Sequence, residues 1–287
     1  MPELPEVETV VRTLAPRLVG RRIVEVRALS RFVGPESIDE AAGGVVQTVR
    51  RLGKHILIEL DNGLLDIHLG MTGSLLFDAE VGPHTRVWFG LDRGILIYDD
   101  PRQFGRIRFG GEPPDCLGPD ALEVNPGELS RLLAVRHARI KPLLLDQSFL
   151  RGLGNIYVDE SLFHARIHPR AIASRLSRAR ALRLHAAIVE VLTEAIARGG
   201  SSISDYVDAE GRAGTFQQLH CVYGKAGLPC PICGAPIRRI LVAQRGTHYC
   251  PRCQPRRGGM APGSRRRLGT VAPPRSAKPA DWEAPGR

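Results

Sequence analysis

The chain opens Met1-Pro2-Glu3-Leu4-Pro5-Glu6-Val7-Glu8-Thr9. Val7, Val10, Val11, Leu14 and Leu18 recur at helical spacing, and Pro5 suits a first helical turn, so a helix starts just behind Pro2. Trimming of Met1, which a small following residue permits, leaves the secondary amine of Pro2 as the chain terminus, flanked by the Glu3 carboxylate. An α-amino group titrates at about 7.7–8.0, so it is neutral and nucleophilic at pH 7 far more often than a lysine. The positive end of the helix dipole disfavours its protonation further. A secondary amine adding to a sugar aldehyde carbon gives an iminium that is cationic without a proton, an electron sink for elimination next door. Glu3 stands where it can shuttle protons. An acidic, proline-bearing start is also what an ordinary helix N-terminus looks like, so the rest of the chain has to decide.

The 287 residues suffice for two domains with cores of their own. No apolar run approaches 18 residues and the start is acidic, so neither a membrane span nor a secretion signal is expected, and the setting is cytoplasmic. The formal charge of +10 is unevenly placed. Residues 1–130 carry 14 Lys/Arg against 20 Asp/Glu, residues 131–253 carry 18 against 8, and residues 254–287 carry 8 against 2. An acidic half joined to a basic half fits a protein that grips a polyanion.

Beyond the first helix, Arg22–Leu29, Val45–Leu52, His55–Leu60, Leu64–Leu69, Thr85–Leu91, Ile95–Tyr98 and Gly105–Phe109 read as short strands. Tight Gly-bearing turns between them imply antiparallel pairing and an N-terminal β-sandwich with flanking helices, within an α+β protein. This part spans 1–112, and a Pro/Gly/Asp-rich linker follows at 113–126. Helical patterns at Glu128–Val135, Pro142–Phe149, Ile156–His164 and Ser177–Arg198 fill residues 127–219. Residues 220–254 form a small metal-organised hairpin. The Pro/Arg/Gly/Ala mixture of 255–287 has no periodic apolar face and reads as a disordered basic tail.

The hairpin assignment rests on Cys230-Pro-Ile-Cys233 and Cys250-Pro-Arg-Cys253, separated by sixteen residues. Two Cys-x-x-Cys knuckles at that distance wrap four thiolates tetrahedrally around one zinc, and a closed four-cysteine site is structural. Disulfides are the competing account; the expected absence of export argues against them. Between the knuckles, Gln244-Arg245-Gly246-Thr247 puts an arginine where a hairpin tip contacts phosphates. Gly152-Leu153-Gly154-Asn155 lies between two helical patterns, a turn whose backbone amides and Asn155 side chain can face a phosphate, aided by the next helix's N-terminus. Lys54 precedes an apolar strand, Met71 would pass as core filler, and Arg102 with Phe104 would pass as a turn bearing one stacked aromatic.

Taken in order, MPELPEVET, Leu52-Gly53-Lys54-His55, His68-Leu69-Gly70-Met71-Thr72-Gly73, Asp100-Pro101-Arg102-Gln103-Phe104-Gly105, Gly152-Leu153-Gly154-Asn155-Ile156-Tyr157-Val158-Asp159-Glu160 and the cysteine knuckles resemble the formamidopyrimidine-DNA glycosylases over residues 2 to about 253. The resemblance implies a helix-two-turn-helix domain in the basic half and a monomeric enzyme acting on damaged duplex DNA. It implies Pro2 as nucleophile, Glu3 as its acid partner, Lys54 as proton donor in β-elimination and Arg245 in δ-elimination. Because an arginine is a poor proton donor, a phosphate clamp is the firmer role for Arg245. Met71, Arg102 and Phe104 correspond to the trio that fills the void left when a damaged nucleotide is extruded. His84 and Asn155 correspond to DNA contacts, and Asp208–Gln218 to a lesion-capping loop. Gln103 and His137 stand where many relatives have basic residues; Arg136, Arg139 or Lys141 are candidates to replace the second. The implied activity is base-excision repair of 8-oxoguanine and formamidopyrimidines, with β,δ-elimination, in a bacterial cytoplasm and at the nucleoid. Three other readings remain: an endonuclease VIII-like enzyme for oxidised pyrimidines, a non-catalytic damaged-DNA binder, and a zinc-ribbon adaptor. Leu4 and the Arg102-x-Phe104 arrangement weigh against the first, and intact Pro2, Glu3 and Lys54 against the second. The charge asymmetry weighs against the third.

Overall fold

The apolar spacing behind Pro2 becomes helix α1 (Leu4–Leu18), whose buried face is Leu4, Val7, Val10, Val11, Leu14 and Leu18. The computed structural model describes residues 2–30, 32–33, 36–110, 116–203 and 206–256. The start of the expected linker and the expected basic tail from residue 257 onward lie outside the described residues.

Two antiparallel four-stranded sheets follow. The first is ordered β1 (Ile23–Ala28), β6 (Thr85–Leu91), β7 (Ile95–Asp99), β5 (Ser74–Phe77); the second is ordered β2 (Val46–Leu52), β3 (His55–Leu60), β4 (Gly63–His68), β8 (Arg106–Phe109). Both contribute to one apolar core, in which Ile56, Ile58 and Ile67 meet Leu75, Val87, Phe89 and α1's Val7, Val10 and Leu14. Strand β5 is absent from the sequence-based strands. It is four residues long, follows two glycines, and is buried at three positions, so it offers no alternation to read.

Helices α2 (Pro126–Ala134), α3 (Ile140–Leu145), α4 (Asn155–His164) and α5 (Arg178–Ala197) make the second lobe. Asn125 caps α2 through its Oδ1, which accepts the Glu128 amide at 2.9 Å. Helix α3 starts two residues before Pro142 and stops short of the expected Phe149. Asp146 ends it by accepting both the amide and the hydroxyl of Ser148. Every residue of α4 from Ile156 to Phe163 is buried, so it is the central rod of this lobe.

The two lobes meet at the head of α1. Leu4 packs in the helical core while Val7 onward packs in the sheet core, and the Leu4 amide donates to the Gly152 carbonyl at 3.0 Å. Arg51 adds a second tie, reaching Asp120 at 2.6 Å and Glu8 at 2.9 Å with its side chain 8% exposed. The last element is the hairpin β9 (Arg238–Val242) and β10 (Arg245–Tyr249). Its two-residue tip, Ala243-Gln244, has φ of 47° and 60°, the left-handed geometry that matches strand twist. Among the described residues no helix is long and apolar enough to cross a membrane.

Candidate active site

Pro2 and Glu3 are both buried where α1 meets α4. The Glu3 carboxylate lies at the N-terminus of α4: Oε2 accepts the amides of Gly154 at 2.8 Å and Tyr157 at 3.3 Å, and Oε1 accepts that of Ile156 at 2.9 Å. These are the donors a helix leaves without internal partners, at its positive end. The amides that the sequence offered to a phosphate are therefore taken by a carboxylate from the other lobe. The glycines have a corresponding reason. A Cβ on Gly154 would stand 2.3 Å from Glu3 Cδ, and one on Gly152, at φ +104°, would stand 2.5 Å from a Leu4 methyl.

Burial pushes the Glu3 carboxyl above the usual carboxylate range, against the opposing pull of Lys54 and the three amides. Glu6 is its neighbour, accepting the Glu3 amide at 2.8 Å, the Ser201 amide at 2.7 Å and the Tyr157 hydroxyl. Burial, with the Glu3 charge beside it, pushes Glu6 up to about 7. Two buried carboxyl groups side by side are thus both shifted towards holding a proton, the direction that suits a general acid. Lys54, 7% exposed in the β2–β3 turn, faces the pair. Burial lowers its pKa, Arg245 adds to that effect, and Glu3 and Glu6 oppose it. Glu3, next to Pro2, and Arg245 both act on Lys54 through their charges, so three separate parts of the chain converge on this lysine.

Glu6 escaped the sequence reading as a site residue. Its position three after Glu3, the spacing of a capping box, was the available signal. From Glu6 a hydrogen-bonded chain runs through Tyr157 and Ser201 to His220, the Ser201 Oγ lying 3.0 Å from His220 Nε2. Burial drops His220 to about 4, so this end of the chain is neutral. The segment matched to a lesion-capping loop sits against the same helix. Its Ala209 amide donates to Thr13 Oγ1, and just ahead of the segment Tyr206 donates its hydroxyl proton to the Glu6 carbonyl.

Met71, Arg102 and Phe104 form a second group. Met71 is 40% and Phe104 53% exposed, and the Arg102 guanidinium lies 4.7 Å from the Phe104 ring centroid. They are held by Asp100, which sequence reasoning passed over. Fully buried, it accepts Thr72 Oγ1 at 2.6 Å, the Arg102 amide at 3.2 Å and the Gly105 amide at 2.8 Å. It therefore knits the Met71 loop to the Arg102–Phe104 turn. Exposed His84 borders this group through its carbonyl, which accepts the Asp100 amide. Gln103, at φ 55°, accepts the Ser30 hydroxyl at 2.7 Å.

In the helical lobe, Asn155 donates through Nδ2 to the Gly246 carbonyl at 3.0 Å. Arg136, His137 and Arg139 are exposed, whereas Lys141 is wholly buried and cannot serve as a surface DNA contact.

The four cysteines of the two knuckles bring their Sγ atoms within 4.8 Å of one another, with Cys230 to Cys253 at 3.8 Å and Cys233 to Cys250 at 3.5 Å. A tetrahedron with Zn–S bonds of about 2.3 Å has edges of about 3.8 Å, so the set fits zinc. The Cys253 amide donates to Cys250 Sγ, and Gln254 ties the second knuckle to the Ile167 carbonyl. With no open ligand position the zinc is structural. A neighbouring cluster of Glu160, His164 and Cys221 is organised differently, since the Glu160 carboxylate accepts three backbone amides, from Cys221, Val222 and Tyr223.

Comparison with known proteins agrees with this architecture. Residues 1–107 match the formamidopyrimidine-DNA glycosylase N-terminal domain, residues 117–207 its H2TH domain, and residues 227–256 a zinc finger found in FPG and IleRS. The chain is 52% identical to the formamidopyrimidine-DNA glycosylase of Solibacter usitatus, over 89% of this chain and all of that one. It is similar in structure to the MutM (FPG) protein of Thermus thermophilus, with a TM-score of 0.82 and 42% identity over 88% of this chain and 98% of that one. The wild-type Lactococcus lactis Fpg in complex with a DNA containing N7-benzyl-Fapy-dG gives a TM-score of 0.81 at 38% identity, over 88% of this chain and all of that one. A β-sandwich headed by a buried acid, docked on a helix-two-turn-helix and a zinc finger, defines a DNA glycosylase of the helix-two-turn-helix class. Within that class the chain belongs to the formamidopyrimidine-DNA glycosylase family.

Proposed function

We propose that Pro2 is the nucleophile with which this base-excision repair enzyme removes oxidised purines, 8-oxoguanine and formamidopyrimidines, from duplex DNA and then cuts the strand. The Pro2 nitrogen attacks the sugar C1′, the glycosidic bond breaks, its electron pair leaves with the base, and the proton shed by the Pro2 nitrogen neutralises the departing base. Glu3 passes a proton to the sugar ring oxygen, the ring opens, and an iminium links Pro2 to C1′. Loss of a C2′ proton sends electrons towards the iminium and expels the 3′ phosphate, and a second elimination expels the 5′ phosphate. Lys54 moves the proton of the first elimination, and Arg245 clamps the flanking phosphate for the second. Met71 and Phe104 fill the vacated stack, Arg102 hydrogen-bonds the orphaned base, and His84 and Asn155 contact the backbone.

One observation carries this reading. The residue next to Pro2 is a buried carboxyl, seated on the α4 N-terminus and facing Lys54, with its pKa raised by burial. Within this scheme residues 1–112 carry the chemistry and 127–219 hold DNA. Residues 220–254 present Arg245, and the basic segment 255–287 adds non-specific affinity. The protein acts as a monomer on chromosomal DNA in the cytoplasm, at the nucleoid. The test is borohydride trapping on 8-oxoguanine duplex. A covalent adduct mapping to Pro2 is expected, with Pro2→Gly retaining DNA binding while base release collapses. Unchanged turnover by Pro2→Gly, or full nicking by protein still blocked by Met1, removes the assignment. A parallel oxidised-pyrimidine duplex separates the endonuclease VIII-like alternative, which requires faster release from that substrate.

A further inference from the structure

Helices α3 and α4 grip the strand that begins with Arg245. Lys141 of α3, wholly buried, donates through Nζ to Asp159 Oδ1 at 2.7 Å and to the Gly246 carbonyl at 3.1 Å. Asp159 of α4, 1% exposed, uses its other oxygen to accept the His248 amide at 2.8 Å. Asn155 adds its amide to the same Gly246 carbonyl. The buried pair thus fixes β10 at two alternate residues, 246 and 248, immediately beyond the hairpin tip.

On the β9 side, among the described residues, the tie next to the tip is the Arg170 guanidinium, which donates to the Leu241 carbonyl at 3.0 Å. Ala243, Gln244 and Arg245 are exposed, and the tip places two non-glycine residues in the left-handed region that glycine prefers. Left to itself such a tip would sample other arrangements, and the Arg245 guanidinium would move with it. Arg245 is nonetheless close enough for its charge to act on both Lys54 and Lys141. A buried ion pair is an expensive way to hold a fold, since apolar residues of similar volume commonly do as well, so its retention is better explained by the geometry it imposes.

We propose that Lys141 and Asp159 are positioning residues for Arg245: by fixing the Gly246 carbonyl and the His248 amide they set where the guanidinium stands. The inference rests on the reading of Arg245 as the clamp used in the second elimination. It assigns to the pair a function in strand cleavage and none in base release.

The experiment compares the parent protein, Asp159→Asn, the apolar double variant Lys141→Met/Asp159→Leu, Arg245→Ala, and Arg245→Ala combined with Asp159→Asn. Single-turnover reactions on 8-oxoguanine duplex are resolved into base release, β product and β,δ product, and zinc content is measured in parallel. Asp159→Asn should retain one zinc and release base within about threefold of the parent, while its ratio of β,δ to β product falls about tenfold, in the direction Arg245→Ala moves it. In the Arg245→Ala background Asp159→Asn should change the ratio no further, the non-additivity expected of residues acting through one another. The apolar double variant, which leaves no buried charge unpaired, should show the same split and covers the case in which Asp159→Asn fails to fold. If Arg245→Ala shifts the ratio and neither variant of the pair does, or if the effects add, the positioning role is wrong while the Arg245 reading stands. If Arg245→Ala leaves the ratio unchanged, that reading is wrong and the positioning role falls with it.

Discussion

Replacing Asp100 by alanine should separate the work of extruding a damaged base from the chemistry performed on it. The carboxylate is fully buried and accepts three donors, Thr72 Oγ1 and the amides of Arg102 and Gly105. Each donor left unpaired costs about 1–3 kcal/mol. Because both segments can open to water, the lower end applies, about 3 kcal/mol in all, and the loss falls on the segments bearing Met71, Arg102 and Phe104. Extrusion of a stacked, paired nucleotide costs a few kcal/mol, which an inserted wedge and a base-binding arginine offset. Loss of a preorganised trio should therefore raise the barrier on an 8-oxoguanine duplex by about 2–3 kcal/mol, a slowing of ~30–160-fold. A duplex with a preformed abasic site has no base to extrude, and its sugar should be trapped by borohydride within about threefold of the parent rate. Single-turnover excision on one duplex and trapping on the other, well below the melting temperature, give the comparison. An equal loss on both substrates, or no loss on either, would refute the assignment of Asp100 to the extrusion machinery.

Gly70→Ala should behave like Asp100→Ala, because Gly70 has φ +63° and an added Cβ would meet the backbone of Phe104 and Gly105 at 2.5 Å; unchanged lesion excision would count against that contact. The pH dependence of stability should carry the signature of Glu6. Its folded pKa of about 7 lies above the ordinary 4.5, so the folded state holds a proton that the unfolded chain has released, and stability is lost as pH rises through this window. The size is about 3 kcal/mol by linkage. The histidines His68, His168 and His220, each depressed to about 4, act in the opposite sense, their contribution being lost as pH falls below about 6.5. The readout is therefore the difference between parent and Glu6→Gln in urea melts from pH 5 to pH 8; parallel curves would show that Glu6 does not titrate there. Truncation after Arg257 removes six Lys/Arg against two Asp/Glu and should flatten the salt dependence of DNA binding, whereas an unchanged slope would mean the segment does not touch DNA.

Local pattern carried much of the fold to the surface of the sequence. Helical spacing behind Pro2, alternation with tight turns across residues 22–109, and two cysteine knuckles each report a short-range physical requirement, and each is met in the structure. Where reading failed, the missing information was long-range or the element too short. Strand β5 is specified by its partner β7, and α3 by the Asp146 turn that ends it. Asp100 looked like a turn residue because its acceptors serve a loop nearly thirty positions earlier. Lys141 looked like a basic surface residue because nothing in its own segment shows that Asp159 will neutralise it.

The Gly152–Asn155 turn is the instructive case, since its composition pointed towards a phosphate and its structure places a carboxylate there. Both ligands suit the same feature, an uncapped helix N-terminus with glycines that admit a close anion. Which anion arrives is decided 151 residues away, by whether Glu3 can reach. Glu3 reaches because α1 begins at Leu4, whose side chain packs in the helical core and whose amide is fixed on Gly152. Docking one lobe on the other is thus what buries the acid next to Pro2, and that burial raises its pKa against the lowering effect of the amides it caps. Had the α4 N-terminus been capped by its own neighbour, Glu3 would lose both the burial that raises its pKa and the amides that lower it. Lobe docking and acid strength are therefore one interaction here.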